Sequence, residues 1–317
     1  MTTANSRPPV DPDLQKLLDK GPSGLDTEDG VGAARERLAE MHNHDLPQQL
    51  QAVQTENRQI DGPGGPIPIR TYRADQAASG TLPLTMYFHG GGFCLGNLDS
   101  HNIQARTLAI GAAALIVSVD YRLAPEHPFP AGVEDVWAAT QWAVKNATEL
   151  GADATRLAVA GDSAGGNLAA VVAQMARDKG GPEIAFQLLF YPATMWDFTL
   201  PSMIENAHAP VLTVDDLNRF YSWYAGGVDI TNPPARMAPG RATDLSGLPA
   251  AYIATAGHDP LRDDGLRYAE MLTDAGNDVQ YHNAPTLTHA FLGFYDAVPA
   301  VTTTTDLGLA ALRAALH

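Results

Sequence analysis

The sequence predicts an α/β fold in which a mostly parallel sheet lies between layers of helices, and three observations support this. Short β-like runs alternate with runs of helical periodicity along most of the chain. Hydrophobic residues make up 45% and charged residues 18% of the sequence, as in folded globular proteins. The length of 317 residues is sufficient for one α/β unit with an insertion.

The predicted strands number eight: LQAVQTE, PIPIRTY, PLTMYFH, AALIVSV, RLAVA, AFQLLFY, AAYIATA and DVQYHNA. Helices fit between the later strands at about 103–110, 133–149, 166–178, 266–274 and 307–316. Two further helices, DPDLQKLLDK and VGAARERLAEMH, precede the first strand. The predicted organisation is therefore N-terminal helices in 1–50, a main α/β domain in 51–191 and 249–317, and an insertion in 192–248.

The insertion is rich in aromatic residues and is predicted to be helical, lying over the sheet with the N-terminal helices. Its aromatic side chains are expected to roof an apolar pocket of bounded size: Trp196, Phe198, Phe220, Tyr221 and Trp223.

The stretch LAVAGDSAGG places Ser163 at a sharp junction between a strand and a helix, with Gly161 two residues before it and Gly165 two after. Glycine has no Cβ to clash in so tight a turn. The pattern G-x-S-x-G in this context is typical of a nucleophilic serine, with the helix N-terminus directed at a developing anion. The alternative is a serine that caps an ordinary helix.

A glycine-rich segment, YFHGGGFCLGN at 87–97, directly follows the third predicted strand. Successive glycines allow backbone N–H groups to turn into a cavity, where they can hold an oxyanion. The alternative is a flexible glycine turn.

A nucleophilic serine needs a base and an orienting carboxylate, which in enzymes with such a turn follow in the order acid, then histidine. Asp259 comes at the end of the seventh predicted strand, and His289 follows the eighth. His258 neighbours Asp259, so its side chain is expected to point to the opposite face. Asp263 and Asp264 precede a helical run and are expected to cap it.

Several classes of function are disfavoured. The formal net charge is −16 without any cluster of basic residues, so we predict no nucleic-acid partner. Residues 1–18 contain no apolar signal core, and the apolar run 108–119 is too short to span a bilayer, so we expect a cytoplasmic protein without an integral membrane segment.

Metal and cofactor chemistry is also not predicted. The single cysteine, Cys94, excludes an intramolecular disulfide and is interpreted as a small buried hydrophobe. His42 and His44 could contact a metal, but no third ligand is near them in the sequence. We therefore predict no metal and no cofactor.

Together these motifs resemble the hormone-sensitive-lipase-like family of α/β-hydrolases, the bacterial family IV carboxylesterases. The similarity runs from about 84 to 291 and rests on HGGGF (89–93), SVDYRLAPEHPFPA (118–131), GDSAGGNLA (161–169), DPLRDD (259–264) and THAF (288–291). Three positions differ from the usual family pattern: His258, Asp264 in place of glutamate, and Ala290 in place of glycine.

The resemblance implies an α/β-hydrolase fold with a helical cap, and a serine ester hydrolase with Ser163, Asp259 and His289 as its triad. It implies an oxyanion hole made by the backbone N–H groups of Gly91, Gly92 and Ala164. Supporting positions in the two motifs are His89, Gly90, Gly161, Asp162 and Gly165, of which His89 shapes the glycine loop rather than exchanging protons. It also implies a buried or semi-buried pair between Asp120 and Arg122.

The expected substrate is a small-molecule ester with a short to medium acyl chain. Two alternatives stay open: an amidase of the arylacetamide type, since acyl-enzyme chemistry serves both bonds, and a non-catalytic small-molecule receptor on the same fold. The eighth strand could also pair two copies into a homodimer at the sheet edge, although such edges are often simply protected.

Overall fold

The computed structural model describes residues 7–20, 25, 27–41, 46–74 and 80–317. Within them, one sheet contains all eight predicted strands. They are β1 (Val53–Ile60), β2 (Ile67–Ala74), β3 (Leu82–Phe88), β4 (Leu115–Val119), β5 (Ala152–Asp162), β6 (Phe186–Phe190), β7 (Ala250–His258) and β8 (Val279–Thr288).

The strand order is β1-β2-β4-β3-β5-β6-β7-β8. Strand β2 pairs antiparallel with both β1 and β4, and all the other neighbouring pairs are parallel. The residues of β3, β4 and β6 are buried throughout, which explains their continuous apolar runs. Because β5, β6, β7 and β8 are parallel, their carboxyl ends meet at one edge of the sheet. The predicted mostly parallel sheet is thus confirmed.

Helices cover both faces of the sheet and bury an apolar core on each. They are α1 (Pro12–Leu18), α2 (Val31–Met41), α3 (Gln48–Gln51), α4 (Asn102–Ala112), α5 (Ala131–Lys145), α6 (Ala164–Lys179), α7 (Pro201–Glu205), α8 (Val214–Ala225), α9 (Arg262–Asp274) and α10 (Pro299–Leu316). No helix in the described part of the chain is long and apolar enough to cross a membrane.

The insertion 192–248 contains α7 and α8 and contacts the N-terminal segment. Asp216 closes a capping box with Thr213 at the start of α8. Its carboxylate also accepts hydrogen bonds from the N–H group (3.1 Å) and the hydroxyl (2.7 Å) of Thr27. The two segments therefore pack together as expected, while the division of the chain into cap and catalytic domain remains a prediction.

The expected pair of Asp120 with Arg122 is wrong. The Arg122 guanidinium instead binds Asp135 of α5 in a bidentate arrangement, with both N–O distances 2.8 Å. Asp135 is 1% exposed, so its buried carboxylate requires a cationic partner, whereas burial raises the pKa of Asp120 to about 6.

Candidate active site

Ser163 lies between the end of β5 and the first residue of α6, in a backbone conformation that L-residues rarely adopt (φ 52°, ψ −118°). Its side chain makes no capping hydrogen bond to α6, so the alternative of a helix-capping serine is wrong. A Cβ at Gly161 would collide with the backbone of Gly165 on the other side of the turn, and a Cβ at Gly165 would collide with the backbone of Phe88 at the end of β3. Gly161 thus allows the sharp turn at Ser163, and Gly165 allows that turn to lie directly against the end of β3.

His289 connects Ser163 to Asp259. Its Nε2 atom lies 3.0 Å from Ser163 Oγ, and its Nδ1 atom lies 2.7 Å from Asp259 Oδ2. All three side chains are buried, and they follow the carboxyl ends of β5, β7 and β8. If Nδ1 donates its proton to the carboxylate, Nε2 is free to accept the proton of the serine hydroxyl.

Asp259 is held in place by its second oxygen. Oδ1 accepts a hydrogen bond from the backbone N–H of Leu261 at 2.8 Å, which leaves Oδ2 for the imidazole. The neighbouring His258 points elsewhere, with Nε2 3.0 Å from the carbonyl oxygen of Pro8.

The glycine loop turns beside Ser163. Gly91 and Gly92 have φ of 114° and 59°, and no described residue accepts a hydrogen bond from their N–H groups. Ala164 is the first residue of α6, where an N–H group has no partner within the helix. These three residues line the same cavity as Ser163. Their role as an oxyanion hole stays a prediction.

Asp162 and His89 hold the glycine loop in place through contacts with Gly90. Asp162 Oδ1 accepts hydrogen bonds from the Tyr87 hydroxyl (2.7 Å) and from the N–H of Gly90 (3.2 Å). The His89 ring stacks on Tyr121 at 4.3 Å, and its Nδ1 lies 2.8 Å from the Gly90 oxygen. Burial lowers the pKa of His89 to about 3, so the ring is neutral near neutral pH.

A cavity of about 660 Å³ opens at Ser163 and His289. Its apolar walls come from the insertion and from the N-terminal segment: Leu17, Leu25, Leu38, Val211, Leu212, Leu217, Phe220 and Tyr221. No local pattern in the sequence indicated the three N-terminal leucines as wall residues. A more open cleft of about 860 Å³ lies beside it and shares Leu38 and Glu40, but contains neither Ser163 nor His289.

The aromatic roof is smaller than expected. Of the five predicted aromatic residues, only Phe220 and Tyr221 line the cavity. Trp196 stacks behind Tyr221 with ring centroids 3.7 Å apart, Phe198 packs edge-on against Tyr221, and Trp223 packs edge-on against Phe220. These three rings stabilise the wall and do not form it.

The other candidate residues lie away from this arrangement. Cys94 is fully buried, and burial raises the pKa of its thiol to about 12, which disfavours the thiolate that a nucleophile requires. His42 and His44 lie outside the described residues. Among the described residues, no group of three or more histidine, cysteine or acidic side chains could hold a metal ion.

Asp264 does not cap α9, contrary to the expectation for Asp263 and Asp264. Both lie within the first turn of α9, and the residue at the cap, Leu261, makes no side-chain hydrogen bond. Asp264 instead accepts hydrogen bonds from the beginning of the insertion, at Thr194, Met195 and Trp196. Nothing in the motif DPLRDD indicated this distant partner.

A buried serine, histidine and aspartate connected in this order, at the carboxyl end of a parallel sheet, define the class of serine hydrolases. Residues 85–293 match the family model described as alpha/beta hydrolase fold, and the chain belongs to this family.

Named relatives extend the match over nearly the whole chain. Esterase LipI of Mycobacterium tuberculosis is 54% identical, covering 99% of this chain and 98% of its own. Carboxylesterase NlhH of the same species is 52% identical, covering 98% of both chains. The crystal structure of DphMB1 superposes with a TM-score of 0.92 at 51% identity, covering 98% of this chain and 100% of that one. The predicted membership of the hormone-sensitive-lipase-like, bacterial family IV group is confirmed.

Proposed function

We propose that this carboxylic-ester hydrolase works through a covalent acyl-enzyme formed on Ser163, with His289 as general base and acid and Asp259 as the orienting carboxylate. The observation that carries the assignment is the unbroken chain of contacts, 3.0 Å from Ser163 Oγ to His289 Nε2 and 2.7 Å from His289 Nδ1 to Asp259 Oδ2. Both distances are within hydrogen-bond reach.

In the first half of the reaction, Ser163 Oγ attacks the ester carbonyl carbon and its proton moves to His289 Nε2. The carbonyl oxygen becomes an oxyanion, which the N–H groups of Gly91, Gly92 and Ala164 stabilise. The tetrahedral intermediate collapses, His289 gives its proton to the leaving alkoxide, and the alcohol departs. A water molecule, deprotonated by His289, then attacks the acyl-enzyme. The second tetrahedral intermediate collapses, the acid departs and His289 returns the proton to Ser163 Oγ.

Labelling with an organophosphonate tests this assignment directly. We expect one label, on the peptide that contains Ser163, together with loss of esterase activity. Ser163→Ala should neither be labelled nor be active. Ser118→Ala is a matched control, since Ser118 is also buried, in the carboxyl-end half of β4, and its hydroxyl has no partner among the described residues. Labelling of another residue, or an active Ser163→Ala enzyme, would falsify the proposal.

Esters are favoured over the two alternatives. A receptor would not need the complete Ser163–His289–Asp259 arrangement, and it would show stabilisation by a ligand without turnover. An amidase uses the same groups but must protonate a poorer leaving group, so matched aryl esters and anilides distinguish the two activities.

We also propose that the ligands are small-molecule esters and not nucleic acids, because the net charge of −16 repels phosphate backbones. A cytoplasmic location and a homodimer formed through the edge strand β8 stay predictions. Light scattering, which measures the molar mass in solution, tests whether the protein is a dimer.

A further inference from the structure

One side chain of the N-terminal helix α2 contacts the glycine loop. Arg35 donates a hydrogen bond from Nε to the carbonyl oxygen of Cys94 at 2.8 Å, and another from Nη2 to the carbonyl oxygen of Ala124 at 3.0 Å. Its two Nη atoms also lie 2.8 Å from the carboxylate oxygens of Glu126. Arg35 therefore connects α2 to the loop that lies beside Ser163.

The carbonyl group of Cys94 is one end of a short chain of peptide units. In a trans peptide, the C=O and N–H bonds point in opposite directions. The peptide that presents the Cys94 oxygen to Arg35 therefore directs the N–H of Leu95 the other way. This N–H donates to the carbonyl oxygen of Gly91 at 2.8 Å, and the N–H of Cys94 donates to the same oxygen at 3.0 Å. The carbonyl of Gly91 is thus held inside the turn.

The next peptide unit reaches the cavity. The carbonyl of Gly91 and the N–H of Gly92 belong to one trans peptide, so the Gly92 N–H points away from the turn that holds the carbonyl. Gly92 lines the cavity, and a Cβ there would collide with the ring of Phe220 in the cavity wall. Two linked peptide units therefore set the direction of the Gly92 N–H, and Arg35 binds the far end of the chain.

We propose that Arg35 is a positioning residue for the oxyanion hole. Arg35 does not line the cavity that contains Ser163, so it acts through the loop and not on the substrate. Its planar guanidinium donates in a fixed geometry, which holds the loop against the segment that follows β4. Hydrogen-bonded peptide units also polarise one another, so a cation at the carbonyl end strengthens the N–H donor at the other end. The inference rests on the proposed function and adds a residue of the N-terminal segment to its machinery.

Two ketones with the same alkyl chain distinguish this role from a role in shaping the cavity. With pentyl trifluoromethyl ketone, Ser163 Oγ adds to the carbonyl carbon, the serine proton moves to His289, and the carbonyl oxygen becomes the oxyanion. Methyl pentyl ketone binds with the same chain but is too weakly electrophilic to form a stable adduct. The affinity of the first inhibitor therefore depends on the oxyanion hole, whereas the affinity of the second depends on the cavity walls.

The variant is Arg35→Met, which keeps an unbranched side chain of good helix propensity and removes every donor. Complete removal of an oxyanion donor lowers kcat by about 10²–10³, and a donor that is present but less well directed should cost less, about tenfold. We expect this rise in the inhibition constant of the trifluoromethyl ketone and a similar fall in kcat/KM for p-nitrophenyl butyrate, per active site titrated with an organophosphonate. The inhibition constant of the methyl ketone should stay unchanged.

Arg37→Met is the matched control. Arg37 lies on the same helix, pairs with Asp29 at 3.4 Å and lines neither of the two cavities described above, so both inhibition constants and kcat/KM should stay at wild-type values. Near-UV circular dichroism checks the fold of each variant. If Arg35→Met does not fold, Arg35→Gln takes its place with the same expectations, since its shorter side chain cannot bind both carbonyls and the carboxylate together.

Equal weakening of both ketones would show that Arg35 acts on the cavity walls, which would overturn the inference. Unchanged inhibition constants would reduce Arg35 to an anchor of α2 and would also overturn it, whatever the Tm of the variant. Failure of the proposed function is distinguishable, because the trifluoromethyl ketone would then inhibit wild type no better than the methyl ketone.

Discussion

The carboxylate of Asp264 accepts hydrogen bonds from both the backbone N–H and the hydroxyl of Thr194, 70 residues earlier in the chain. The same carboxylate accepts from the N–H groups of Met195 (2.9 Å) and Trp196 (3.3 Å). Trp196 in turn stacks on Tyr221 in the cavity wall. Asp264 therefore anchors the beginning of the insertion and, through Trp196, one wall of the cavity.

Asp264→Asn should weaken this anchor, because the amide nitrogen would face N–H groups that need an acceptor. We expect a loss of about 1–3 kcal/mol in the free energy of unfolding, measured with urea, and a higher KM from a less ordered wall. Asp263→Asn is the control, since Asp263 accepts from a single backbone N–H, that of Ser202, and pairs with Arg262 near the surface. Equal stability of the two variants would contradict the anchoring role of Asp264.

Asp259→Asn should have the opposite profile: near-normal folding and almost no activity. Without the carboxylate, the His289 imidazole loses the group that fixes its tautomer, which lowers kcat by about 10⁴ in such triads. Near-UV circular dichroism checks the fold, and steady-state kinetics with p-nitrophenyl butyrate check the rate. A variant that keeps more than a tenth of wild-type kcat would remove Asp259 from the mechanism.

The proximity of Ser163, Asp259 and His289 could be predicted from the sequence because each of them lies in a short motif at a strand end. Eight strands and their direction bring Ser163, Asp259 and His289 to one edge, so motif order predicts their proximity. Contacts that join distant segments have no such local signal. Arg122 binds Asp135, 13 residues away, instead of Asp120, because α5 folds back over the strand end. The contact between Asp264 and Thr194 likewise depends on how the insertion packs against α9. The periodicity of hydrophobic residues in the sequence does not predict that packing.

Ala290→Gly should stabilise the protein. Ala290 has left-handed backbone angles (φ 57°, ψ 27°), which are unfavourable for alanine by about 1–2 kcal/mol and free of steric cost for glycine. Because glycine also increases the entropy of the unfolded chain, we expect a net gain below about 1 kcal/mol. Ala297→Gly is the matched control: it lines the same cavity at an ordinary φ and should lose stability. If both variants lose stability alike, the left-handed conformation is not strained.

The pH dependence of stability should include His89. Its pKa is 6.5 in the unfolded chain and about 3 in the fold, where burial disfavours the cation. Between these values the unfolded state binds one more proton, so stability falls as pH falls from 6.5 towards 3. In His89→Asn, the slope of unfolding free energy against pH should shrink by about 1.4 kcal/mol per pH unit near pH 5. An unchanged slope would mean that the folded protein protonates His89.

The bounded cavity predicts an optimum of acyl-chain length. Each methylene that enters the apolar space contributes about 0.8 kcal/mol, or about fourfold in kcat/KM, until the cavity of about 660 Å³ is full. With p-nitrophenyl esters of increasing length, kcat/KM should therefore rise, reach a maximum at a short to medium chain and then fall.

Leu217→Ala tests whether the wall sets that optimum, because Leu217 of α8 lines the cavity and its truncation leaves room for additional methylenes. We expect the optimum to move to a longer chain. Leu245→Ala, a similarly buried leucine of the insertion that does not line the cavity, should lose stability but keep the wild-type optimum. A steady rise through long-chain triglycerides, with activation at an oil interface, would show that the cavity opens and that its walls do not limit the substrate.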